Sequence, residues 1–271
     1  MTKQHLYNAL LALSLLTMIA CESATDKLVK THMKQADECY QQKNYIKAKG
    51  LLDTVIDISD PESEAAIKAR KLLRSISIDE QKNNLKYLGS MLIEREKALI
   101  PLKRNFLEVK EEGLPMMLVH TKQLAAHNYL RSYIKPALDS AGNYYITSYL
   151  CCGSFINHTR IKATAGEQSI ESEEVPFDDF DNRHLDDGQY KWEIVKFKDG
   201  KDNGVIDFIA QNADKAIKIQ YIGKSSTAVF MEQYDKEAIR DSYEISLILK
   251  EITQIKTNRE NAQKELKRLG Q

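Results

Sequence analysis

Neither sign of charge predominates in this chain. Its 39 lysines and arginines balance 39 aspartates and glutamates, and no run of five basic residues occurs. There is thus no global field to gather nucleic acid, and no nucleic-acid partner is expected. Cysteine is rare, with four in 271 residues. Cys151 and Cys152 are neighbours, and nothing supplies the second pair that a zinc site needs. A glycine-rich phosphate loop, a nucleophile elbow and a His-Glu-x-x-His helix are all missing. No cofactor, metal or catalytic residue is assigned, although catalytic groups converge in space rather than in sequence. Beyond residue 20, no apolar stretch approaches the roughly 20 residues needed to span a bilayer.

What is present is clearest at the start. Lys3 precedes a mainly apolar run, Leu6 to Ala20, that closes with Met18-Ile19-Ala20-Cys21. Its length suits a secretory leader better than a membrane-spanning helix. The four closing residues resemble the lipobox of bacterial lipoproteins, in which cleavage precedes the cysteine and lipid is attached to its sulfur. That resemblance implies a signal peptide over 1–20, a lipidated tether over 21–29 beginning at acylated Cys21, and a body held to a lipid bilayer. Each buried methylene contributes about 0.8 kcal/mol, so more than one acyl chain makes the attachment stable. Glu22, in place of the aspartate that retains lipoproteins at the inner membrane, favours the outer membrane. The alternative is an uncleaved anchoring segment. Lys3 is the only charge in the leader, so the remainder carries one net negative charge.

Helical periodicity begins after the tether. Ala36, Tyr40, Tyr45, Ala48, Leu51, Leu52 and Val55, with Pro61 beyond them, resemble one tetratricopeptide repeat over residues 30–75. Such repeats serve as protein-binding scaffolds, and a single copy also packs simply on its neighbour. Cys39 falls on this face as a small buried residue. Ser63-Glu64-Ala65-Ala66 starts another helix. A coiled-coil-like seam follows at Leu85, Leu88, Leu92, Leu99, Leu102, Phe106 and Val109, with Arg95 in its polar slot. Pro101 predicts a kink or restart near Ile100. Gly113 and Pro115 end this helical part, which occupies 30–113. A second seam, Ile245, Ile248, Ile252, Ile255, Arg259, Ala262, Leu266 and Leu269, predicts a long C-terminal helix within 233–271. The matched lengths suggest an antiparallel pair in one chain; packing between chains is the alternative.

Between the seams, over 114–232, the period changes to two. Strands are predicted over 143–152, 156–165, 169–175, 190–198 and 216–222, with a short helix over 205–210 and a helical or irregular stretch over 121–138. The fold class is α+β, with a helical hairpin, a long helical pair and an inserted β-rich domain. Trp192-Glu193, Asp202-Asn203-Gly204-Val205-Ile206 and Asp235-Lys236-Glu237-Ala238-Ile239 resemble domains of lipoproteins from Bacteroides-type bacteria, a likeness that implies no particular activity.

The strand region concentrates aromatic residues. Tyr144, Tyr145, Tyr149 and Trp192 are the candidate ligand or partner surface, with Tyr145 and Tyr149 on one strand face and Tyr144 on the other. The acidic run Glu171 to Asp187, which includes His184, suggests calcium, but Arg183 stands where an oxygen ligand is needed and a turn-rich loop is simpler. His5, His32, His120, His127, His158 and His184 show no ligand spacing. Cys151 and Cys152 should be free, pointing to opposite faces. The expected role is binding or scaffolding in the envelope, with a protein or glycan partner. The rivals are a glycan or peptide hydrolase, drawing acids from Glu171, Glu193 and Asp207, and a homo-oligomer joined through the seams.

Overall fold

The computed structural model describes residues 23–110, 115–124, 128 and 130–270. The leader, His5, Cys21, Gly113 and His127 lie outside them. The fold is α+β, with helices at both ends and two antiparallel sheets between them. It divides into two compact units, one of residues 1–87 and 260–271 and the other of residues 88–259.

In the first unit, α1 (Ala24–Gln41) and α2 (Tyr45–Ile58) form the expected hairpin. Ser23 and Asp26 close a capping box that satisfies amides at the start of α1. Lys43 takes a positive φ in the turn, and the Asn44 side chain accepts from Lys47 N at 3.3 Å to begin α2. Ala36 and Ala48 are fully buried, so the two backbones approach closely around Leu52 and Val55. Helix α3 (Glu64–Leu102) enters the same core through Ala69 and Ile76. Tyr40 donates to Asp79 at 2.7 Å, and Arg74 donates to the Leu269 carbonyl at 2.6 Å.

In the second unit, α3 runs on through Leu88, Leu92 and Leu99. These pack with Ile245, Leu249, Ile252 and Ile255 of α5 (Gln233–Arg268). The Asn105–Asp241 and Arg95–Glu251 contacts, at 3.3 and 2.7 Å, fix an antiparallel pairing. Arg95 therefore fills its polar slot with an ion pair. The first seam is shorter than its spacing suggested. Pro101 lies in the last turn, α3 ends at Leu102, and a 3-10 turn leads into β1 (Phe106–Val109). Phe106 and Val109 are thus strand residues.

The six-stranded sheet has the order β1-β2-β3-β4-β8-β7, with β2 (Met117–His120), β3 (Tyr133–Asp139), β4 (Tyr144–Cys152), β7 (Asn182–Asp186) and β8 (Lys191–Phe197). The stretch over 121–138, read as helical or irregular, contains strand β3 instead. Its alternate residues Ile134, Pro136 and Leu138 point inward and are buried. The second sheet is β10-β9-β5-β6, from β5 (Arg160–Ala165), β6 (Gln168–Glu171), β9 (Ile217–Ile222) and β10 (Ser226–Phe230). Ile134, Ile146, Leu150, Val195 and Phe197 of the first sheet share a core with Ile161, Ile217, Ile219 and Tyr221 of the second. Helix α4 (Val205–Gln211) closes it with Val205 and Ile209. No described helix is long and apolar enough to cross a membrane.

Candidate ligand-binding face

Antiparallel register sorts the side chains of the six-stranded sheet into two faces. Residues directly opposite one another project to the same side, and neighbours along a strand to opposite sides. Ile146 and Leu150 point into the core, so Tyr145, Thr147, Tyr149 and Cys151 point outward. Their cross-strand partners extend this outer face in rows. Tyr133, Tyr149, Ile194 and Arg183 form one row; Lys135, Thr147 and Lys196 form the next. Cys151, Trp192 and Leu185 lie on one flank, with Ala137 and Tyr145 on the other.

The candidate aromatics divide accordingly. Tyr145, Tyr149 and Trp192 share the outer face and are partly exposed. Tyr144 lies on the core side, where its hydroxyl donates to the Ile239 carbonyl at 3.1 Å and burial pushes the phenol well above its ordinary value. Tyr149 stacks on Tyr133 with ring centroids 4.7 Å apart and planes 6° from parallel. Arg131 also lies over the Tyr133 ring, with its guanidinium carbon 4.6 Å from the centroid.

Cations accompany the rings. Lys198 sits over Tyr145 at 5.5 Å and pairs with Asp181 at 2.8 Å. Arg183 lies 4.7 Å from the Phe180 centroid. Among the described residues, the ammonium groups of Lys135 and Lys196 have no carboxylate within 4 Å. Partial burial, then the neighbouring charge of Lys198, lowers the Lys196 pKa. The Asp139 carboxylate is occupied by the β3–β4 turn, where it accepts from Ala141 N at 2.8 Å and Asn143 N at 2.9 Å. A cleft of about 500 Å³ adjoins the face, lined by Tyr145, Lys198, Asp199, Gly200 and Lys250 among others.

The core side carries a different constellation. Ser148 Oγ is 2.8 Å from His158 Nε2, and His158 Nδ1 is 2.7 Å from Glu193. This order resembles a nucleophile, a base and an orienting acid, but all three side chains are closed to solvent. Glu193 also accepts from the backbone amides of Ile156, Asn157 and His158 at 2.6–2.8 Å. Burial alone would raise its pKa, but these hydrogen bonds hold the carboxyl down at about 2. The carboxylate meets the Nδ1 edge of the ring, and the Ser148 hydroxyl meets the Nε2 edge. The arrangement pins the 153–159 connection to the sheet and offers no path for a substrate.

The other acids considered for hydrolysis are also engaged. Glu171 pairs with Arg160 at 2.7 Å, and Asp207 takes the Tyr243 hydroxyl. In the acidic run, Asp179 accepts from Asp181 N at 2.9 Å, Asp186 from Gly188 N at 2.9 Å and Asp187 from Tyr190 N at 2.6 Å. These are turn-forming carboxylates, and the run includes strand β7. Among the described residues, no group of three or more His, Cys, Asp or Glu side chains is arranged to hold a metal ion. Cys39, Cys151 and Cys152 are free thiols; Cys152 packs against the core and Cys151 faces outward. His120 is buried beside Asp241, at 3.2 Å, and edge-on to Phe106.

Tyr133, Lys135 and Lys196 join the face although sequence reading did not select them. Alternation along β8 could have found Lys196 beside Trp192, but Tyr133 and Lys135 required β3 to be recognised as a strand. No family model matches the chain, and neither a curated protein nor a solved structure is similar to it.

Proposed function

We propose that this chain is a lipid-anchored binding protein of the bacterial cell envelope. In this reading Cys21 carries the lipid, the outer membrane is the site of attachment, and the outer face of the six-stranded sheet is the ligand surface. The observation that carries the binding role is the placement of Tyr149 and Trp192 on one sheet face with Lys135 and Lys196. The core lies on the opposite side of that sheet, so folding alone does not require these aromatics to gather outward.

The engaged states of Glu171, Glu193 and Asp207 favour binding over hydrolysis. The pairing of Ile245, Ile252 and Ile255 with α3 of the same chain favours it over a seam-joined oligomer. To test the role, the full chain and a Tyr149→Ala/Trp192→Ala variant are immobilised in mild detergent and exposed to solubilised envelope from the source cells. A protein or saccharide component held by the wild type and lost by the folded variant is expected. Identical retention would contradict the assigned surface. Palmitate labelling that disappears in Cys21→Ser tests the anchor separately.

A further inference from the structure

We infer that the outer sheet face takes an acidic glycan, whose anionic groups meet Lys135 and Lys196 while its sugar rings lie on Tyr149 and Trp192. This rests on the binding role proposed above and names its ligand class. The first support is charge. Lys135 and Lys196 flank Thr147 in register, which places their Cα atoms about 10 Å apart, two strand spacings. Of the nearby acids, Asp181 pairs with Lys198 while its charge also reaches Lys196, Asp139 is held in its own turn, and Asp187 lies beside Cys151. Among the described residues, neither the Lys135 nor the Lys196 ammonium has a carboxylate at ion-pair distance, so the row offers two positive charges to an anionic ligand. Lys250 in the adjoining cleft extends the same sign, with Asp199 as the acid lining that cleft.

The second support is shape. A sheet face is broad and nearly flat, and Tyr145 and Tyr149 lie about 13 Å apart along one strand. Ring faces accept the apolar C–H side of a sugar while the phenol and indole edges reach hydroxyl groups. An acidic peptide would draw most of its affinity from backbone pairing at a strand edge, and β3, β4 and β8 are interior strands with no free edge. A single-stranded nucleic acid needs a cationic groove that follows a phosphate on every residue. Here the two unpaired lysines form one short row across the sheet.

The test uses the full chain in detergent micelles, with polygalacturonate and heparin as acidic glycans, dextran as a neutral one, and poly-L-glutamate and oligothymidylate as other polyanions. Saturable binding of at least one acidic glycan is expected, roughly 10-fold tighter than to the other three polymers, since charge and stacking must both be met. Lys135→Gln/Lys196→Gln should weaken it by about 10-fold, as should raising salt from about 50 to about 500 mM. If that double variant does not fold, Trp192→Ala with the same salt series supplies the second arm. No acidic-glycan binding, equal binding of poly-L-glutamate or oligothymidylate, or insensitivity to these substitutions would overturn the inference. Should the acidic glycans fail while Tyr149→Ala/Trp192→Ala still loses an envelope component, the ligand class falls and the binding face stands.

Discussion

His158 and Glu193 meet at 2.7 Å with both side chains fully closed to solvent, joining the connection after β4 to the middle of β8. The carboxylate receives four hydrogen bonds there, three of them from backbone amides. Glu193→Gln would set an amide against donors it cannot satisfy. A loss of about 3 kcal/mol in urea unfolding is expected, in the range for a broken buried pair. A loss under about 0.5 kcal/mol would mean that the cluster relaxes without cost.

The same pair sets an acid limit on stability. The folded carboxyl lies at about 2, below its ordinary value of 4.5. Its contribution is therefore fully present above pH 4.5 and is lost as pH falls toward 2. The difference corresponds to about 3 kcal/mol. Wild-type stability should fall more steeply across this window than that of Glu193→Gln. Parallel acid profiles would contradict the assignment.

Asp235, at the start of α5, receives Arg131 through both guanidinium arms, at 2.6 and 2.7 Å, together with the Gln123 amide. Asp235→Ala removes the carboxylate that meets both guanidinium arms and the buried Gln123 amide. A cost of about 3 kcal/mol is expected, read by thermal unfolding. Arg131→Lys should fail to preserve stability, because an ammonium cannot reproduce the fork or the stacking on Tyr133. Full stability in the lysine variant would show that charge alone suffices.

The pairing of α3 with α5 separates apolar from ionic contributions. Glu251→Ala removes a half-exposed bridge to Arg95 and should cost under about 1 kcal/mol. Ile252→Asp places a charge in the buried seam and should cost more than about 3 kcal/mol. Denaturant titrations of the two variants giving equal losses would contradict the packing.

Gly142 turns β3 into β4 at a φ of +89°, where a Cβ would lie 2.9 Å from both Lys250 N and Ser246 O of α5. Gly142→Ala should therefore lower stability by about 2 kcal/mol through strain and contact with rigid backbone. An unchanged melting temperature would place the turn farther from the helix.

Long-period features were legible in the sequence because they repeat. The α1–α2 hairpin announced itself through Ala36, Tyr45 and Ala48, and α5 through isoleucines at steps of three and four. Local exceptions misled. Phe106 and Val109 continue the spacing of the α3 seam, yet the helix ends just past Pro101, and the same residues serve a strand. Strand β7 is hidden among turn-forming aspartates. The Ser148–His158–Glu193 chain was not legible at all, because it depends on β4 and β8 being neighbours across some forty intervening residues. The outward set Tyr145 and Tyr149 followed from alternation alone, whereas Lys135 became relevant only with the β3 register.

Trp192 is the chain's only tryptophan and lies on the proposed ligand surface, so its emission reports directly on that face. Titrating the full chain with polygalacturonate and heparin, while following Trp192 fluorescence, is the most direct measurement. A saturable change with at least one of them is predicted, suppressed by high salt and by Lys135→Gln/Lys196→Gln. Emission that stays constant through both titrations while the glycan demonstrably binds would place the ligand elsewhere and contradict the assignment.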